Sequence, residues 1–403
     1  MYSVMDGVRV LEVAQYTFVP AAGAVLADWG ADVLKVEHPE RGDSQRGLLR
    51  VGGQDNTNAI NFLMEHANRG KRSIGIDLVN PEGRELLYEL ARKSDVFLTN
   101  FLPSAREKMQ IDVEHIRAVN PDIIYARGSA FGDRGAERTK GGYDSTAFWA
   151  RAGSGMGGKQ PGDGPAMQPG PAYGDSIGGM TIAGGIAAAL FQRERTGKTS
   201  VLDISLLGTG VWTMGCSLTG ALLSGGGSPI PAGAAFMNPL VGLFAAKDGL
   251  FLMLTMLQGH FYWADTCEHI GRPELIDDER FATAEAFAEN SEAASQELRE
   301  TFATATLEEW RDRLTTLKGQ WGPFQTLSQL ATDPQVHANG HLVDVDAGNG
   351  ESFKLVASPV QFDGEHPELR KGPEHAQHTE EILLEMGMDW DRIGELKQSG
   401  AIR

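Results

Sequence analysis

Residues 7–37 read GVRVLEVAQYTFVPAAGAVLADWGADVLKVE, and their reading decides the fold class. Gly7–Ala14 is β-branched and apolar, opened by glycine and closed by a polar turn, which predicts a strand. Pro20–Gly30 starts with proline and ends with glycine, the asymmetry of a helix. Ala31–Glu37 is a second strand. Strand, crossover helix and strand at this spacing predict a mostly parallel sheet with helices on both faces.

The pattern continues outward. Asn80–Ser94 has Asn80 as N-cap, Pro81 at the first helical position and an apolar stripe of Leu86, Leu87, Leu90 and Ala91. Asp95–Asn100 and Asp122–Gly132 are further strands. Residues 133–174 are rich in glycine and proline, the mark of a functional loop. A long helix is predicted from about Ser176 to Glu194, then a strand over Thr199–Leu207. The composition breaks across Leu222–Phe236. Beyond it come a hairpin around Lys247-Asp248-Gly249, helices near 258–271, 290–305 and 307–317, and a tail with a strand-like SFKLVASPVQF and a helical TEEILLEMG. The expected fold class is α/β: a Rossmann-like large domain over 1–225 and a smaller α+β domain over 226–330.

At 403 residues the chain exceeds one ordinary domain, and 41% hydrophobic against 22% charged residues supplies a core and excludes wholesale disorder. The net charge of −18 excludes general nucleic-acid binding. From residue 251 onward there are 28 acidic and 12 basic residues, against 15 and 13 in residues 1–110, so an anionic ligand is better tolerated by the first part. Two cysteines, Cys216 and Cys267, build neither a disulfide framework nor a cysteine-rich zinc site and suit a reducing cytoplasm. The N-terminus shows no signal peptide, and Ile177–Phe191 reads as a buried helix rather than a membrane span.

Several chemistries lack their motifs. The first strand runs into VAQYTFVPAAG where a dinucleotide fold has G-x-G-x-x-G, which disfavours NAD. No P-loop occurs and the ten histidines are scattered along the chain, so no metal site is expected. What remains is a set of basic residues at strand ends and loops: Lys35, NRGKRS (68–73), Arg106, Lys108 and Lys140. A multiply phosphorylated ligand uses such a set, and so does an ordinary solvated surface. The second feature is GPAYGDSIGGM (170–180). Asp175 there reads as a plain helix N-cap, or as a carboxylate kept ionised at a helix N-terminus and able to attack an acyl group.

The blocks LEVAQYTFVPAAGAVLADWGADVLKVEHPERGDSQR, NRGKRSIGIDLVNPEGRELL, SDVFLTNFLP, GGYDSTAFWARAG, GDSIGGMTIAGGIAAALFQRERTGK and QHTEEILLEMG resemble the class III CoA-transferases, a family that also holds α-methylacyl-CoA racemases. The resemblance covers nearly the whole chain. It implies that residues 331–403 return to the large domain, and that two chains interlock as a homodimer. It implies CoA transfer from an acyl-CoA to a free carboxylic acid, with Asp175 as nucleophile and no tightly bound cofactor. The implied CoA contacts are Tyr16, Thr17, His38, Lys71, Arg72, Asn100, Phe101, Arg106, Lys108, Met109, Lys140 and Tyr143.

Two departures qualify it. The racemase motif GHD reads GYD here, and Tyr143 is a poor proton shuttle at neutral pH, so racemisation is the weaker alternative beside a non-catalytic acyl-CoA-binding protein. His38-Pro39 stands where the family keeps a phosphate-binding arginine. Residues 153–164 and SGGGSPIPAG (224–233) are candidate covers for the site, SGGGS (224–228) being the nearest thing to a four-glycine loop. Phe148, Trp149, Met156, Met237 and Trp263 are candidates for an acyl pocket or for ordinary core.

Overall fold

The computed structural model describes residues 3–48, 50–51, 54–55, 60–158, 164–226 and 238–403. Six parallel strands form the main sheet: β1 (Arg9–Val13), β2 (Asp32–Glu37), β3 (Arg72–Gly75), β4 (Val96–Thr99), β5 (Ile124–Ser129) and β6 (Val201–Ser205), in the order β3-β2-β1-β4-β5-β6. The order reverses between β1 and β4. In such a sheet the crevice beyond the carboxyl ends of those two strands is where ligands bind.

Successive residues send their side chains to opposite faces. Val10, Val33, Leu98 and Ile124 join one buried cluster with α1 (Phe18–Asp28), while Leu11, Leu34, Phe97 and Tyr125 join a second on the other face. The second is completed by α2 (Pro81–Arg92) and by two C-terminal helices, α6 (Thr379–Glu385) and α7 (Trp390–Gln398). The Asn80 side chain accepts the Glu82 backbone N–H, as the capping pattern requires. An Asn80→Ala change is expected to cost about 1 kcal/mol, measurable as a lower urea midpoint with an unchanged slope.

The long helix is α4 (Tyr173–Thr196), which follows α3 (Pro103–Met109) and precedes α5 (Leu206–Thr213). Helix α4 is long and apolar enough to cross a bilayer, yet it packs on α1 through two glycines. A Cβ at Gly178 would stand 2.3 Å from Phe18 Cε2, and one at Gly179 2.6 Å from Ala21 Cβ. The expected helix start at Ser176 is corrected to Tyr173, with Ala172 as N-cap in the left-handed region at φ 58°. Asp175 is therefore the third residue of the helix, inside its first turn, and not its cap.

The chain divides into two compact units, Met1–Pro229 with His337–Arg403, and Ile230–Val336. The second unit holds a three-stranded antiparallel sheet of β7 (Val241–Ala245), β8 (Phe251–Thr255) and β9 (Trp321–Pro323), and its own core around Trp263 and Trp310. The hairpin around Lys247-Asp248-Gly249 is the β7–β8 connection. In the first unit the strand-like SFKLV is β11 (Ser352–Val356), paired antiparallel with β10 (Leu342–Asp346).

Candidate functional site

The carboxyl ends of β1 and β4 are tied together. Gln15 N–H donates to Asn100 Oδ1 at 3.0 Å, and Asn100 Nδ2 donates to the Gln15 carbonyl at 2.6 Å. The next residue, Tyr16, sits at φ 63°, a conformation costly for a large side chain, and its N–H is held by Asp43 Oδ1 at 3.0 Å. This turn aims Tyr16 at a cavity of about 690 Å³, where it meets Tyr143 edge-on with ring centroids 5.6 Å apart. Asn100, Lys140, Arg151 and Asp175 line the same cavity, with Phe18, Leu102, Phe131 and Leu206 as its apolar walls.

Asp175 enters at the first turn of α4. No described side chain donates to its carboxyl group. Burial, reinforced by the nearby Asp144, pushes that group up to about 8. That direction runs against the expectation of a carboxylate kept ionised at the helix N-terminus, because burial disfavours the charged form. Asp144 takes the helix donor instead. Its Oδ2 accepts Gly174 N–H at 3.1 Å and Gln168 Nε2 at 2.8 Å, and its Oδ1 accepts Ser145 N–H at 2.7 Å. Sequence reading passed over Asp144; the acid followed by serine in GYDS was its signal, as an N-cap.

A smaller cavity of about 230 Å³ lies past the ends of β1 and β2, and His38, Phe101 and Met109 line it. His38 Nδ1 accepts the Glu40 and Arg41 backbone N–H groups at 3.2 and 3.3 Å, and burial, with Arg41 beside it, lowers its pKa. The imidazole is accordingly neutral at physiological pH. Tyr143 is raised above the usual tyrosine value by its hydrogen bond with Tyr16 and by burial, which weakens it further as a proton shuttle.

Five expected ligand contacts have other positions. Lys71 is fully enclosed: its Nζ donates to both Glu12 carboxylate oxygens at 2.8 Å, to the Pro20 carbonyl at 2.8 Å and to Asn68 Oδ1 at 3.1 Å. Arg72 opens β3 at the amino end of the sheet and pairs with Asp32 at 2.8 Å and Glu385 at 2.7 Å. Thr17 is buried, its hydroxyl donating to Gln45 Oε1 at 2.6 Å. Arg106 is buried and donates to the Phe101 carbonyl at 2.9 Å and to Asp112 at 3.2 Å, so it shapes the turn after β4 from behind. Lys108 is exposed on α3 and lines neither cavity.

Of the acyl-pocket candidates, Phe148 and Trp263 are ordinary core, Trp149 donates to the Ala166 carbonyl, and Met156 is exposed. Met237 lies outside the described residues. So does most of the SGGGSPIPAG stretch, and residues 159–163 of the other glycine-rich cover do likewise.

Comparison with known proteins places these features in context. The sequence model of a family described as CoA-transferase family III matches residues 5–379. The (R)-2-hydroxy-4-methylpentanoate CoA-transferase of Clostridioides difficile is 30% identical over 404 residues, 99% of each chain. The succinate–glutarate CoA-transferase of Agrobacterium fabrum is 33% identical over 95% of each. Among solved structures, a CAIB/BAIF family protein from Brucella suis superposes with a TM-score of 0.80 at 29% identity, over 96% of this chain and 100% of that one.

Proposed function

The chain belongs to CoA-transferase family III and is a CoA-transferase, and from that premise we propose that it moves CoA from an acyl-CoA to a free carboxylic acid through a thioester on Asp175. The observation that carries this is the placement of Asp175 at the wall of the large cavity, in the first turn of α4, with no described side chain spending its oxygens. A carboxyl group without an internal partner is free to bond to substrate.

The steps balance without a redox partner. Asp175 as carboxylate attacks the donor thioester carbonyl, and CoA leaves as thiolate, giving a mixed anhydride. The thiolate attacks the aspartyl carbonyl and expels the donor acid as carboxylate, giving aspartyl-CoA. The acceptor carboxylate attacks that thioester and frees the thiolate again. The thiolate then takes the acceptor acyl group from the second anhydride, and Asp175 is regenerated. Because one thioester replaces another, the transfer itself calls for no ATP. The apolar wall of Phe18, Leu102, Phe131 and Leu206 keeps water from the anhydrides.

The acceptor class follows the relatives named above, one acting on a branched 2-hydroxy acid and one on dicarboxylates. A cavity of about 690 Å³ accommodates an acid of either size beside the pantetheine arm. We also propose a homodimer. Trp212 (83% exposed), Leu222 and Leu223 are large apolar side chains left exposed, which a partner chain would cover.

The test is intact-protein and peptide mass spectrometry after mixing with acyl-CoA and hydroxylamine. A hydroxamate on the Asp175 peptide is the expected result. Its absence while CoA still turns over sinks the covalent route. Deuterium entering the α-carbon from solvent without any acceptor would favour racemisation instead.

A further inference from the structure

Asp175 stands between two residues that are held, while no described side chain donates to its own carboxyl group. On one side, the Gly174 N–H is taken by Asp144 Oδ2 at 3.1 Å. On the other, Ser176 Oγ lies 2.9 Å from Nε2 of His66, a residue 110 positions earlier on the short helix Phe62–Asn68. The same hydroxyl lies 2.9 Å from the Ala172 carbonyl oxygen, which also accepts the Ser176 N–H at 2.9 Å. A carbonyl oxygen only accepts, so the single hydroxyl proton of Ser176 goes to Ala172. Toward His66 the hydroxyl is therefore an acceptor, and the imidazole carries its proton on Nε2. Burial, with Arg69 beside it, pushes the His66 pKa down to about 4, so the ring is neutral at physiological pH. Ala172 is the left-handed N-cap of α4 at φ 58°, a conformation that persists only where its surroundings enforce it.

We infer that His66 is a positioning residue for the transfer reaction: through Ser176 it fixes the left-handed entry to α4, and with it the direction of the Asp175 carboxyl group. The inference rests on Asp175 as the reacting group of this site. Neither His66 nor Ser176 lines the large cavity, so His66 acts on substrate only through the helix. A carboxyl group with no side-chain donor of its own takes its direction from its backbone, and its aim depends on how firmly residues 172–176 are set. The helix of His66 and α4 both pack on α1, so the tether joins elements already fixed against a common neighbour. A serine beside a histidine also reads as a nucleophile with its base, and Gly174-Asp175-Ser176-Ile177-Gly178 matches the G-x-S-x-G pattern. The placement of the protons argues the reverse. A general base offers a lone pair to the hydroxyl, and Nε2 here offers a proton.

The experiment is steady-state kinetics of the whole protein, well below its melting temperature, with His66→Leu, His66→Gln and Ser176→Ala. His66→Leu removes the donor and is expected to lower kcat by roughly tenfold to a hundredfold, with KM for donor and acceptor kept within about twofold. Gln brings an amide N–H to nearly the place of Nε2, so His66→Gln is expected to hold kcat within about threefold of the parent. Ser176→Ala is the smaller change and decides the matter where His66→Leu fails to fold. It is expected to lower kcat about as much as His66→Leu, and the double variant to be no slower than the slower single one. Nitrogen-15 NMR of the parent is expected to show His66 protonated on Nε2. A parental kcat in Ser176→Ala overturns the inference, and so does a His66→Gln as slow as His66→Leu, the result of a role in packing alone. An imidazole protonated on Nδ1, or labelling of Ser176 by a fluorophosphonate, overturns it in favour of a serine nucleophile. If the variants behave as expected while no Asp175 adduct forms in the parent, the tether stands and the covalent route falls.

Discussion

Asp175→Asn protein is expected to lose CoA transfer by at least ~10⁴-fold, as enzymes do when the group that forms the covalent bond is removed. Acyl-CoA is still expected to bind, because the described lining of the cavity is otherwise intact. The parent should show a kcat/KM that rises with pH through about 8, since only the ionised carboxyl attacks and burial holds it protonated below that value. The same shift acts on stability. The folded state retains a proton that the unfolded chain has lost between the ordinary aspartate value and about 8, so stability falls as pH rises across that window and levels off above it. The Asn variant lacks this slope. At pH 8 and above it is expected to melt higher than the parent, a loss of function joined to a gain in stability. A variant that melts lower at that pH, or that transfers CoA at the parental rate, would remove Asp175 from its proposed role. Freshly prepared protein, checked by mass for deamidation, keeps the comparison clean.

The second large effect lies under the site rather than in it. Glu12 on β1 is completely buried between two lysines, with Lys71 at 2.8 Å and Lys35 at 3.3 Å. Lys35 reaches on to Asp43 at 2.9 Å, and Asp43 holds the strained Tyr16 turn. Glu12→Ala leaves two enclosed ammonium groups short of charge and is expected to cost about 3–5 kcal/mol, read from the urea midpoint. Glu12→Leu combined with Lys71→Met is expected to recover much of that loss, because a packed apolar pair replaces the ions in the same space. The Ala variant is further expected to raise the donor KM, since the Tyr16 turn loses its footing. A near-neutral Glu12→Ala would mean that the lysines find water, contrary to their enclosure.

Much of the fold was legible because the large unit is written in local patterns. Gly7–Ala14 and Asn80–Ser94 carry their own boundaries, a glycine before the one and a cap with proline before the other, and the observed elements fall inside them. Strand β3 was missed because four residues, opened by arginine, leave no room for a period to show. The site was legible as a position and much less so as a chemical state. Spacing finds Asp175, but its protonation follows from burial and from Asp144, whose approach depends on how a loop closes. Lys71 is the sharpest lesson. A cation beside a loop reads as a ligand contact, yet Glu12 and Lys35 each interrupt an otherwise apolar strand. A lone charge in such a run implies a buried partner, and Lys71 is that partner.

The edge strand β3 is sealed by segments made much later in synthesis. Ser73 accepts the backbone N–H of His378, 305 residues further along the chain, and Ile76 forms an isolated bridge with Ile402. At the pace of a ribosome, about 5–20 residues per second, that strand waits roughly 15–60 seconds with its edge unpaired. During that interval the nascent chain offers an apolar border to any neighbour on the same messenger, and a chaperone that shields it is expected to raise the yield of folded protein more than it alters the finished molecule's stability.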